Sequence, residues 1–232
     1  MLLSFGRHGD SKSRAFARMM HEQHRELDAA RWADLMERLG LDRNQGTFEQ
    51  LQDAYAEKHR HYHTSEHIRQ CLHVLDEARH LAREPDEVEL ALWFHDAVYA
   101  TRSKRNEAKS AAWAVKFLRK NGADAPRAQR VHDLIMATKH DVAVENPDAA
   151  LVVDVDLSIL GADSEAFERF ERHVRKEYWW VPGDLFRKTR AAILQSFLDR
   201  GSVYMTAYFR ARAEHRARRN VANAILALQE KQ

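Results

Sequence analysis

Residues 150–160 read Ala-Leu-Val-Val-Asp-Val-Asp-Leu-Ser-Ile-Leu, and whether they form a strand or a helix decides the fold class. The valines at 152, 153 and 155 and the partial alternation with Asp154 and Asp156 suit a strand. A strand needs a partner, and the rest of the chain offers no second one. An isolated strand is not stable in water, so the stretch is expected to be a helix ended by Gly161, and the chain all-α.

The flanking segments agree with a helical reading. Phe16, Met19, Met20, Leu27, Trp32, Leu35, Met36 and Leu39 keep helical spacing from Ala15 to Leu39, with Gly40 as a stop. Thr47 and Gln50 form a capping-box pattern ahead of Leu51 and Tyr55. Thr64 or Ser65 is placed to cap a helix whose stripe is Ile68, Cys71, Leu72, Leu75, Ala78 and Leu81. Pro85 breaks that helix and Asp86 is placed to cap the next. Further helices are expected through Ala111, Val115 and Leu118 up to Asn121-Gly122, and from Pro126 through Ile135. Three more are expected over residues 164–179, 183–199 and 209–229. Residues 1–14 hold few large apolar groups and are expected to be a disordered start, with residues 15–232 as one domain.

The bulk composition fits this picture. Only 8 Gly and 4 Pro in 232 residues leave few turns, so elements are long. Hydrophobic residues make up 44% and charged residues 31%, enough for a core and a soluble coat. A single cysteine, Cys71, excludes an intrachain disulfide and fits a reducing compartment. No apolar run approaches the roughly 18 residues of a membrane span and the start does not resemble a signal peptide, so a cytoplasmic protein is expected. The formal charge of +2 favours no class of partner, but 14 histidines raise the question of a metal or a phosphate.

Leu90-Ala-Leu-Trp-Phe-His-Asp-Ala-Val-Tyr99 carries the chemistry, because it draws His95 and Asp96 into an apolar run. Burying an imidazole beside a carboxylate is costly without a partner, and a divalent cation satisfies both. Two other His-Asp dipeptides, His132-Asp133 and His140-Asp141, lack that context, and His132 reads as a surface residue. His63 and His67 are four apart and share a face if their helix starts early. Asp154 and Asp156 offer carboxylates from a distant, valine-flanked element. Such a nitrogen and oxygen donor set suits a hard or borderline ion with positions left open for water and substrate.

Taken in order, these residues carry a resemblance. Arg60-x-Tyr62-His63-x-x-x-His67, Trp93-Phe94-His95-Asp96-x-Val98-Tyr99, Asn106-Glu107-x-x-Ser110-Ala111, Ile135-x-Ala137-Thr138-Lys139-His140 and Asp154-x-Asp156-Leu157-x-Ile159-Leu160-Gly161 resemble the HD-domain superfamily. The match is with a bacterial branch of predicted metal-dependent HD phosphohydrolases. Arg175-x-Glu177-Tyr178 and Ala217-Arg218-x-Asn220 extend the likeness to roughly residues 25–230. It implies a single-domain helical HD fold with His67, His95, Asp96 and either Asp156 or Asp154 as metal ligands. Asp156 is preferred because it directly precedes a leucine, which leaves Asp154 as a capping or supporting residue. Tyr62-His63-x-x-x-His67 also resembles the opening motif of cyclic nucleotide phosphodiesterases, in which the first histidine donates a proton and the second binds metal. Thr64 stands where that motif has asparagine.

The expected activity is hydrolysis of a small phosphorylated metabolite, a nucleotide first, by water activated on a divalent ion: manganese, magnesium, iron, zinc, cobalt or nickel. In this scheme Asp96 holds the metal, His63 donates the proton, Glu107 orients the water or acts as base, and Arg60, Lys139 and His140 hold the phosphate. The alternatives are a phosphodiesterase acting on a cyclic or linear nucleotide, or a non-catalytic helical module. That module would hold polyanions through Arg210, Arg212, Arg216, Arg218 and Arg219, with nucleic acid the minor choice of partner. No membrane partner is expected, and the sequence does not specify an oligomeric state.

Overall fold

A computed structural model describes residues 26–140 and 144–230 of the chain. Among the described residues there are ten α-helices and no strand. In order they are α1 (Ala29–Arg38), α2 (Gln45–Tyr55), α3 (Ser65–Ala78), α4 (Pro85–Phe94), α5 (Asn106–Lys120), α6 (Ala125–Ala137), α7 (Pro147–Asp156), α8 (Ser164–Glu177), α9 (Gly183–Leu198) and α10 (Ala207–Gln229). Short 3₁₀ turns cover Arg79–Leu81 and Leu157–Gly161. None of the described helices is long and apolar enough to cross a membrane.

The valine-rich stretch is helical, as α7 and the 3₁₀ turn that follows it. Asn146 opens α7, its side chain accepting the N–H groups of Asp148 and Ala149, and Pro147 occupies the first turn. Leu151, Val152, Val153 and Val155 are all fully buried. A helix covered on every side needs apolar residues all round, which is why its sequence shows no amphipathic stripe and imitates a strand. Each valine costs a few tenths of a kcal/mol in helix propensity, roughly, against about 1.5–3 kcal/mol gained by full burial.

α4 is the second inner helix, buried from Glu87 to Phe94 and packed against α1, α3, α5, α6 and α7. Trp93 and Phe94 join Trp32, Phe48 and Phe117 in one aromatic cluster with ring centroids 5.4–6.4 Å apart. The two acids on this helix are neutralised by outer elements. Glu89 accepts from Arg31, Arg38 and Arg79, and Glu87 from Arg130. Removing one partner of such a group would strand a buried charge, so these pairs fix how α1 and α6 seat on α4.

Several local expectations are corrected. Of the helix read from Ala15 to Leu39, residues 15–25 lie outside the described residues, as do residues 1–14, expected to be disordered; within the described part the helix spans Ala29–Arg38 and is capped by the Asp28 side chain. α2 starts at Gln45 behind a left-handed Asn44, so Thr47 lies inside it and forms no capping box. Asp86 is not a cap but an ion-pair partner of Arg38 and Arg79. The backbone entering α4 is instead held by Asp148 of α7, which accepts the N–H groups of Arg83 and Glu84. In the turn after α8, Trp179 is 76% exposed.

Candidate metal centre

Three backbone segments meet at one place. α3 turns His67 inward with Cys71 one turn later, and both are buried. α4 stops at Phe94, so His95 is its C-cap residue and Asp96 lies in the turn beyond. Asp156 is the last residue of α7. Helix ends therefore deliver three of these side chains to a point the helix interiors could not share.

The donor atoms converge closely. His67 Nε2 lies 3.2 Å from His95 Nε2 and 3.2 Å from Asp156 Oδ1, and His95 Nε2 lies 3.5 Å from the same oxygen. Asp96 Oδ2 adjoins them at 3.2 Å from His95 Nε2 and 3.6 Å from His67 Nε2. Two ligands held about 2.1 Å from one ion at angles between tetrahedral and octahedral are about 3.0–3.4 Å apart, so this spacing suits a shared cation. His67, Cys71, His95 and Asp156 together form a buried group that could hold a metal ion. The Cys71 sulfur is 3.7 Å from both ring nitrogens of His67, which puts it beside the ring.

Proton bookkeeping supports a cation. His95 Nδ1 is 2.9 Å from the Leu92 carbonyl, which can only accept, so this nitrogen carries the proton and Nε2 of the neutral ring presents a lone pair. Burial works against charge on both rings. In His67 it prevails and the pKa falls; in His95 the carboxylates of Asp96 and Asp156 outweigh it and the pKa rises well above the usual imidazole value. Burial would raise both carboxyl groups, but His95 holds Asp96 low, and hydrogen bonds from His140, His67 and His95 hold Asp156 well below its ordinary range. Burial, reinforced by Asp156 and Asp96, pushes the Cys71 thiol up. The two carboxylates thus favour positive charge at His95, and a cation would supply that charge in place of a proton.

Around this core the other named residues divide. His63 precedes α3, so it does not share a helix face with His67; it is carried by the loop 61–63. Glu177, at the end of α8, accepts the N–H groups of His61, Tyr62 and His63, and it also takes Nδ1 of His63 at 2.7 Å and the Tyr99 hydroxyl at 2.8 Å. Burial opposes charge on His63, yet Asp96 and Glu177 raise its pKa above the usual value. His140, in the left-handed region at φ 59°, places Nε2 3.2 Å from Asp156 Oδ2, and its Nδ1 is buried without a hydrogen-bond partner.

Arg60, expected at the phosphate, is buried and committed elsewhere. It donates to the carbonyls of His63, Asp96 and Ala97 and to Glu57, with the rings of Tyr55 and Tyr99 about it. It ties the His63 loop to the Asp96 turn. Asp154 is fully buried, accepting the Met205 and Thr206 N–H groups at 2.7 Å each, so it faces the start of α10 while Asp156 faces the histidines. Lys139 stands exposed at the end of α6. Glu107 lies half-buried in the first turn of α5, near enough to Tyr178 to add slightly to the rise that burial and Glu177 give that phenol. In the C-terminal helix, Arg216 and Arg218 donate to backbone carbonyls, Gly161 for the first and Leu198, Arg200 and Gly201 for the second.

The sequence reading gave no role to two residues. Cys71 was counted as core, although its position four residues after His67 puts both on one helix face. Glu177 lay within a matched motif, but nothing in its own neighbourhood tells that it reaches a loop 114 residues earlier. No protein-family model, curated protein or solved structure was found to match the chain.

Proposed function

We propose that the protein is a metal-dependent phosphohydrolase of the HD type, acting on a small phosphorylated metabolite, with nucleotides the first class to test. The observation that carries this reading is the meeting of two imidazole Nε2 atoms with the carboxylates of Asp96 and Asp156 at the spacing of common ligands, in the chain order of the HD motif. His67, His95, Asp96 and Asp156 would hold the ion. A divalent ion bound there lowers the pKa of water from about 16 towards about 7 and neutralises charge on a phosphoryl oxygen.

The chain's own groups supply the rest. His63 stands beside this cluster, its ring 6.0 Å from that of His67, and Asp96 and Glu177 favour its protonated form against the burial that opposes it, so its Nε2 is placed to pass a proton to the leaving oxygen. Asp156 uses one oxygen toward His67 and His95 and the other toward His140, which fixes its orientation. Asp96 and Asp156 are 17% and 15% exposed while both ligand histidines are buried, so solvent and substrate reach the cluster from the carboxylate side.

The test is elemental analysis of the purified protein together with a screen of phosphomonoesters and phosphodiesters across several divalent metals. Stoichiometric metal and phosphoester hydrolysis lost in Asp96→Ala are expected. Metal-free protein that binds none of the ions tested would end the proposal. The polyanion-binding alternative predicts instead a salt-sensitive affinity that survives Asp96→Ala.

A further inference from the structure

Glu177 makes more polar contacts across the fold than a structural acid needs. Its side chain is wholly buried at the last residue of α8, yet all its acceptor capacity goes to one place. Oε1 gathers three successive N–H groups, at 2.7, 2.7 and 3.1 Å, from residues 61–63. Oε2 takes the Tyr99 hydroxyl and the Nδ1 atom of His63. The Tyr99 ring in turn stacks on the His63 ring at 4.3 Å. Backbone, ring nitrogen and ring face of His63 are therefore all set by one carboxylate and the tyrosine it holds.

We infer that Glu177 is a positioning residue for proton donation by His63, fixing the ring with Nδ1–H toward the carboxylate and Nε2 toward the metal cluster. The inference rests on the phosphohydrolase reading. A carboxylate can only accept, so Nδ1 must carry a proton, and the nitrogen left for the substrate is Nε2. Tyr99 and the three backbone N–H groups use the remaining lone pairs of Glu177, so the carboxylate has no second ring orientation to offer. A glutamine at 177 keeps the shape but replaces one acceptor by an NH₂ donor. Turned toward His63, that donor would require a lone pair on Nδ1 and so reverse the neutral tautomer.

The experiment compares wild type, Glu177→Gln, His63→Ala and the double variant in the full chain. Metal-loaded proteins are assayed on an aryl phosphoester, whose leaving oxygen needs no proton, and on an alkyl phosphoester, whose leaving oxygen does. Nitrogen-15 NMR of histidine-labelled, metal-free protein separately reads which His63 nitrogen carries the proton. Expected are a fall in kcat of about 10²-fold or more for the alkyl ester against less than about tenfold for the aryl ester. Also expected are a move of the neutral proton from Nδ1 to Nε2 in Glu177→Gln, and no further loss when Glu177→Gln is added to His63→Ala. Equal losses on both esters, an unchanged tautomer, or losses that multiply in the double variant would overturn it. If wild type hydrolyses neither ester with any metal, the phosphohydrolase reading falls and takes this inference with it. Should Glu177→Gln fail to fold, Tyr99→Phe removes one contact to the same carboxylate and is expected to shift the ester ratio in the same direction; an unchanged ratio would count against the inference.

Discussion

The Nε2 atoms of His67 and His95 face each other across 3.2 Å, from helices whose positions are 28 residues apart in the chain. Since Nδ1 of His95 donates to Leu92, the two facing nitrogens cannot both be neutral donors toward one another, and two lone pairs repel. Either a proton or a cation must lie between them and the adjoining carboxylates.

Divalent metal should therefore stabilise the fold. An ion that binds the native chain and not the unfolded one adds about 2.7 kcal/mol at a free concentration one hundred times its Kd. Thermal unfolding of chelator-treated protein, with and without manganese or zinc, is expected to show a rise in Tm that Asp156→Ala removes. A Tm indifferent to every divalent ion would rule out a cation at this cluster.

Asp154 and Asp156, two residues apart, should separate cleanly. Asp154→Ala leaves the Met205 and Thr206 N–H groups buried and unpaired, a loss of about 2–4 kcal/mol in denaturant unfolding, while metal stoichiometry persists in the folded fraction. Asp156→Ala should instead empty the site and change metal-free stability less. The reverse pattern would exchange the two roles.

That pair also shows how far the sequence could be read. The helical class followed from the lack of any partner for residues 150–160, and the order His67, His95-Asp96, then Asp156 or Asp154, came from the resemblance to the HD-domain superfamily. What could not be read were contacts made by long-range packing. Arg60 looked like a phosphate clamp because a motif arginine near histidines usually meets an anion; only the fold shows its guanidinium spent on the carbonyls of His63, Asp96 and Ala97. The valines of α7 gave no helical period because burial on all sides erases it. Glu177 was invisible for the opposite reason, an acid in a polar helix whose inward aim depends on the register of that helix against a distant loop.

Acid should weaken the link between α8 and the loop 61–63. Burial alone would raise the Glu177 carboxyl, but hydrogen bonds from His63 and from the backbone of residues 61 and 62 bring it from 4.5 down to about 2. Its folded value lies below its ordinary one, so its stabilisation is present above about pH 4.5 and is lost as pH falls toward 2, a term on the order of 3 kcal/mol. His63 is shifted upward, so its share is full below about pH 6.5 and is lost as pH rises through its folded value. Urea unfolding at several pH values is expected to show the largest gap between wild type and Glu177→Gln near pH 5–6, closing on the acid side. A gap that does not change with pH would refute the ionised pair.

Gly161 closes the 3₁₀ turn that follows Asp156 and lies against Ala213 of α10. A Cβ added there would lie 2.6 Å from Tyr204 Oη and 2.7 Å from Ala213 Cβ, distances that real carbon atoms do not tolerate. Gly161→Ala is thus expected to cost about 1–3 kcal/mol through overpacking. Tyr204→Phe removes one obstacle and Ala213→Gly the other, so each should recover part of the loss when combined with Gly161→Ala, a coupling that a double-mutant cycle measures. Tyr204→Phe alone forfeits a hydroxyl that donates to the carbonyls of Leu157 and Ser158, which sets the baseline for that cycle. Because the turn begins one residue after Asp156, the strain should also reach the carboxylate. Metal affinity, measured by competition with a chelating dye, is expected to fall in Gly161→Ala and return with the compensating changes. Affinity that stays fixed while stability drops would mean that the turn and the cluster are mechanically independent.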